Sequence, residues 1–179
     1  MERISGFTLV ELLFTVAIIS ILTLLATPSL SALIQDNRLI THTNEFIATL
    51  HFTRSEAIRR GERVTLCKGT IANGCDKSTQ GWEQGWLIFV DHNDNGLYEE
   101  PQEILLRTRE TLDKSLKINA NGQLKYHISY LGSGLSRTAT GALPLGSLAI
   151  CGPRGDTFAR AIVINRSGRA RMQQGTSLC

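Results

Sequence analysis

Between Leu12 and Ile34 the chain carries no charged residue. As a helix those 23 positions extend roughly 35 Å at ~1.5 Å per residue, enough to cross the hydrocarbon core of a bilayer. One acid, Glu11, stands at the start of the run. A carboxylate in hydrocarbon is costly, so it carries a function by default. A secretory signal peptide would need a basic leading segment, a short apolar core and a small-residue cleavage site. Here only Arg3 is basic, and Ala26-Thr27-Pro28-Ser29 imitates such a site loosely. A plain membrane anchor explains neither Gly6 directly before the apolar stretch nor Glu11 inside it.

Gly6-Phe7-Thr8-Leu9-Val10-Glu11-Leu12-Leu13 resembles the prepilin signal of type IV pilins and type II secretion pseudopilins. The resemblance implies cleavage between Gly6 and Phe7 by a prepilin peptidase, N-methylation of Phe7, and Glu11 as the fifth residue of the mature chain. Pro28 then falls where many pilin helices have a proline. It lacks an N–H, so a kink or local melting of the helix is expected there. In a lone subunit the bilayer would hold the apolar helix. In a filament it would pack against its neighbours' helices, and Glu11 would pair with a neighbour's new N-terminal amine, which makes burying both charges tolerable. The implied division is 1–6 leader, 7–34 transmembrane and filament-core helix, and 35–179 periplasmic domain. The implied partners are other major and minor pilins or pseudopilins, the prepilin peptidase and the bacterial inner membrane.

The 19 basic and 16 acidic residues nearly balance, and their distribution says more than their sum. Residues 76–113 hold nine acids and three bases, whereas 151–179 hold five arginines and one acid, Asp156. An acidic middle therefore precedes a basic tail. Four cysteines outside the cytoplasm suggest two disulfides. Three pairings are possible; Cys67–Cys75 with Cys151–Cys179 is expected, since each closes a local loop. Zinc is disfavoured, because the cysteines are widely spaced and His42, His51, His92 and His127 show no ligand spacing.

Leu33, Ile40, Ile47, Leu50, Ala57 and Ile58 recur at helical intervals among polar residues, so the spacing predicts one helix from about 7 to 60. Arg54, Arg59 and Arg60 favour its C-terminus and Gly61 its stop. Strand patterns follow at 63–67, 82–91, 103–107, 116–118, 123–130, 148–151, 158–164 and 169–172. Asn119-Ala-Asn-Gly122 and Gly152-Pro-Arg-Gly-Asp156 read as hairpin turns. The expected fold is α+β and type IV pilin-like, a long N-terminal helix with a transmembrane first half, packed on an antiparallel β-sheet. Arg54-Ser-Glu-Ala-Ile58, Gly85-Trp-Leu-Ile-Phe-Val-Asp91 with its Asn93/Asn95-Gly96 turn, and Ile162-Val-Ile-Asn165-Arg-Ser-Gly-Arg-Ala-Arg171 resemble the GspH/FimT group of minor pilins and pseudopilins.

Asp91-His-Asn93-Asp-Asn95-Gly96 has oxygen donors at alternate positions and then glycine, like the start of a calcium loop. Position twelve of such a loop should be Glu, but it is Gln102, with Glu103 one place late. A plain Asn/Asp/Gly turn accounts for it better. No metal or other cofactor is expected. No Ser/His/Asp or Cys/His constellation and no phosphate loop stands out, so an enzyme is not expected. Arg166, Arg169 and Arg171 cluster within six residues, and Arg169 and Arg171 would share one face of a strand. Guanidinium groups suit phosphate. Gly168-Arg-Ala-Arg171 resembles the Gly-Arg-x-Arg motif of FimT-type minor pilins linked to DNA uptake, which implies contact of these arginines, helped by Arg154, with double-stranded DNA. A solvated hairpin end is the plain alternative. The implied function is a minor pilin that helps initiate type IV pilus assembly and binds DNA through these arginines, or else a minor pseudopilin, protein H, of a type II secretion system.

Overall fold

A computed structural model of the chain describes residues 8–112, 115–138 and 141–179; the side chains of 25–28 also lie outside the description. Gly6 and Phe7 are therefore outside the described residues. The chain divides into two compact units, Met1–Asn37 and Arg38–Cys179. Helix α1 (Leu9–Arg60) contributes residues to both.

In the first unit Thr8 caps the helix, its hydroxyl accepting the Glu11 N–H at 3.2 Å. The run beyond it is long and apolar enough to cross a membrane, and its side chains from Leu9 to Leu24 are exposed. The hydroxyls of Thr15, Ser20 and Thr23 donate back to the carbonyls of Leu12, Val16 and Ile19. Each polar group is thus satisfied within the helix, as an apolar surrounding requires. The helical backbone continues through Pro28.

The second unit is built on the rest of α1 and two antiparallel sheets. The strands are β1 (Val64–Thr70), β2 (Gly74–Cys75), β3 (Trp86–Val90), β4 (Ile104–Arg109), β5 (Lys117–Ala120), β6 (His127–Tyr130), β7 (Ser136–Arg137), β8 (Ser147–Cys151), β9 (Arg160–Ile164) and β10 (Ala170–Gln174). One sheet runs β4-β3-β1-β6-β7, with β2 paired to β1; the other runs β10-β9-β8-β5. Leu39, Phe46, Leu50 and Ala57 of α1 meet Val64, Leu66 and Ile88 of the first sheet and Ile118, Ile150 and Ile162 of the second in one core. Phe46 stands edge-on to both Trp82 and Trp86, with ring centroids 5.6 and 5.1 Å away. Buried Thr43, Thr49 and Thr53 satisfy their hydroxyls on carbonyls four residues back. The period-2 alternation of β3 sends Leu87 and Phe89 to the other face, where with Cys67 they form a second small cluster, covered by Cys75, Tyr98 and Leu105.

Two expectations are corrected. The β-residues do not form one sheet, and Asn119–Gly122 is not a hairpin turn. Strand β5 pairs with β8, Ile118 opposite Ile150, while β6 pairs with β1 in the other sheet. Residues Gly122–Lys125 form a 3-10 turn, held where the Trp82 indole N–H donates to the Leu124 carbonyl at 3.1 Å. The Gly152–Asp156 turn does join paired strands, β8 and β9. Both disulfides have the expected partners, Cys67–Cys75 and Cys151–Cys179.

Candidate functional site

The β9–β10 turn is closed from within by one side chain. Asn165 Oδ1 accepts the Arg169 N–H at 2.9 Å and the Ser167 hydroxyl at 2.7 Å. The Asn165 N–H donates to the Arg169 carbonyl, and the Gly168 N–H to the Asn165 carbonyl. Gly168 is buried with φ +77°, and a Cβ there would lie 2.5 Å from the Gly134 carbonyl oxygen. Glycine is required by both the left-handed backbone and the close approach.

The turn leaves its arginines outside. Ala170 packs on the core, so Arg169 and Arg171 point to the opposite, solvent face of the sheet. Arg166, Arg169 and Arg171 are exposed, and among the described residues no carboxylate pairs with them. Arg154 is elsewhere. It lies in the β8–β9 turn, at the far end of β9, which spans five residues or about 17 Å. Its guanidinium stacks 3.8 Å from the Phe158 ring. The sequence placed Arg54 only near the helix C-terminus; its Nε donates at 2.9 Å to the same Gly134 carbonyl that Gly168 abuts. A helix residue more than a hundred positions away gave no local signal.

The tail is fixed over the same sheet. The Gly175 N–H donates to Ala159, the Thr176 N–H to Asp156, and Asn119 Nδ2 to the Leu178 carbonyl. Cys179 then bonds Cys151 at the end of β8.

A second polar cluster lies between β3 and β4. Burial pushes the Glu103 carboxyl up to about 7; the Glu99 amide opposes this and the charges of Asp91 and Glu99 add to it. Arg63 Nε sits 2.6 Å from Asp94.

The family described as type II transport protein GspH matches residues 42–168. The chain belongs to the GspH family. The prokaryotic N-terminal methylation motif matches residues 1–27 of this GspH-family chain, which agrees with membrane anchoring through the apolar helix. Its recognition as a GspH/FimT-group minor pilin or pseudopilin rests on these two matches, and that family is structural rather than catalytic. No curated protein matched the chain. The type IV minor pilin FimU of Pseudomonas aeruginosa is similar at 20% identity and TM-score 0.58, over 80% of this chain and 96% of its own. In another crystal form it matches at 18% and 0.57, over 79% and 99%. The minor pseudopilin EpsH of the Vibrio cholerae type II secretion system matches at 14% and 0.51, over 80% and 98%. At such identities the likeness bears on the fold alone.

Proposed function

We propose that the chain is a minor pilin of a type IV pilus, processed between Gly6 and Phe7 by a prepilin peptidase and methylated at Phe7. Residues 7–34 anchor it in the inner membrane, with 35–179 periplasmic, and later pack among the helices of other pilins, where it helps start the filament. Glu11 pairs there with a neighbour's N-terminal amine, and Pro28 gives the helix local play. One observation carries this reading: a methylation motif over 1–27 and a GspH domain over 42–168 stand in one chain. Mass spectrometry of the mature N-terminus tests it. The expected chain starts at methylated Phe7; a start at Met1 or near Ser29 overturns it. Glu11→Ala is expected to leave cleavage intact and to lower incorporation into sheared filaments.

The family description favours a second reading, a minor pseudopilin of a type II secretion system. Deletion separates the two: loss of surface pili supports the first, loss of secreted enzymes with intact pili the second.

In the pilus reading the β9–β10 turn contacts DNA phosphates through Arg169 and Arg171, flanked by Arg166. Their exposure on one face without acidic partners supports it, and Arg154 is too distant to join the same contact. The protein should bind duplexes of unrelated sequence alike, and more weakly as salt rises. Arg169→Ala with Arg171→Ala should remove most binding and flatten the salt slope by about 2, at ~0.9 per lost phosphate contact. Unchanged binding by the double variant leaves the arginines as a solvated hairpin end.

A further inference from the structure

One arginine at the β9–β10 end belongs to a different layer of the fold. Arg54 lies near the end of α1, which closes at Arg60. Its Nε donates to the Gly134 carbonyl at 2.9 Å. A Cβ on Gly168 would stand 2.5 Å from that same oxygen, and the Cα is one C–C bond of about 1.5 Å further on. The Arg54 Nε is therefore within roughly 7 Å of the Gly168 backbone.

The surroundings hold this nitrogen and leave the outer ones open. The Gly134 N–H donates to the Leu131 carbonyl at 2.7 Å and the Leu131 N–H to the Leu135 carbonyl, so the acceptor sits in a closed turn. A side chain at Gly134 would meet Ile58 at 2.8 Å and Arg54 Nε at 3.3 Å. The remaining donors of the Arg54 guanidinium are on its outer nitrogens. Among the described residues these make no hydrogen bond or ion pair, and neither is buried without a partner. They therefore meet solvent. Glu56, the nearest acid in the sequence, is taken by Arg59 and Arg60 at 2.6 and 3.0 Å.

Where Arg54 stands decides what it can touch. Ala170 packs on the core that α1 covers, and Arg169 and Arg171, one position to either side, point to the opposite face. Arg54 reaches the turn from α1, on the core side. Guanidinium groups thus stand on both sides of the backbone at Gly168. A single extended phosphate chain follows one side, whereas the two chains bordering a duplex groove reach both. The major groove, about 12 Å wide, admits a two-stranded β-ribbon, whose strands are about 4.8 Å apart. We propose that Arg54 is a further DNA contact, its outer nitrogens holding a phosphate of one strand while Arg169 and Arg171 hold phosphates of the other. The β9–β10 turn then enters the groove between them, and a helix residue gives the surface its preference for duplex. This contact rests on the reading of that turn as one that meets DNA.

The test uses the full chain in detergent with a labelled duplex and with one of its strands alone. Both are titrated by fluorescence anisotropy across a salt series, and thermal unfolding confirms that each variant is folded. The wild type should bind the duplex more tightly than the single strand. Arg54→Ala should lower the duplex salt slope by about 0.9, the share of one phosphate, and leave single-strand binding unchanged. At low salt the same further loss of slope should appear when Arg54→Ala is added to Arg169→Ala with Arg171→Ala, because the contact is separate. Arg54→Lys keeps the charge without the fork and should keep the slope. If Arg54 only holds Gly134 in place, its removal weakens duplex and single-strand binding alike and adds nothing in the double variant. That result, or an unchanged duplex slope in Arg54→Ala while the wild type binds DNA, overturns this contact alone. A wild type that binds no DNA overturns the reading of the turn and this contact together.

Discussion

The β9–β10 turn and the β3–β4 loop are made of the same few residue types, Asn, Gly and charged side chains, and handle charge in opposite ways. In the first, Asn165 satisfies the turn from inside and the arginines stand in solvent. In the second, the asparagines close the backbone and two of the acids, Asp91 and Glu103, turn inward, leaving Asp91 Oδ1 without a hydrogen-bond partner. A charge held outside costs the fold little and is available to a partner. A charge held inside makes the fold itself depend on what joins it.

The largest expected effect comes from breaking the arginine turn at its hinge. In Gly168→Val a β-branched residue takes φ +77° with its Cβ against the Gly134 carbonyl. The cost should be about 3 kcal/mol, read as a Tm lower by on the order of 10 °C. The arginines remain, but binding that needs their common face should fall with the fold. On the acidic side, Thr65→Val removes the hydroxyl that holds Asp91 Oδ2 and touches Ser129 at 2.7 Å. The loss should be about 2 kcal/mol, because the buried carboxylate loses a donor. Urea unfolding of the variant and the wild type reads the difference. The smallest effect sharpens the spatial side of the comparison. Arg154→Ala loses its stacking on Phe158, roughly 0.5–1 kcal/mol. DNA affinity should stay within about twofold of wild type, because a surface change away from the contact leaves it intact; a drop as large as that of the Arg169/Arg171 pair would join the two turns in one surface.

What the residues disclosed in advance was what is local. The apolar run, the helical spacing to Arg60, the two short disulfide loops and the shared face of Arg169 and Arg171 all follow from periodicity or loop length. What failed depended on distant partners. Asn119–Gly122 has the composition of a hairpin turn. Yet Leu124 is buried and its carbonyl is claimed by Trp82, which draws 122–125 into a 3-10 turn and leaves Lys117–Ala120 to pair with β8. Arg54 entered the arginine end only through contact with Gly134.

The Cys151–Cys179 bond makes residues 151–179 a covalent ring. Inside that ring lie β9, the arginine turn and β10. Arg166, Arg169 and Arg171 are exposed and are cutting points for a trypsin-like protease. A single cut after any of them opens the ring and releases nothing: both new ends stay attached, one through β9 and the other through Cys179. Nicked and intact protein should therefore run as one species without reductant, and a short fragment should come away only when the bond is reduced.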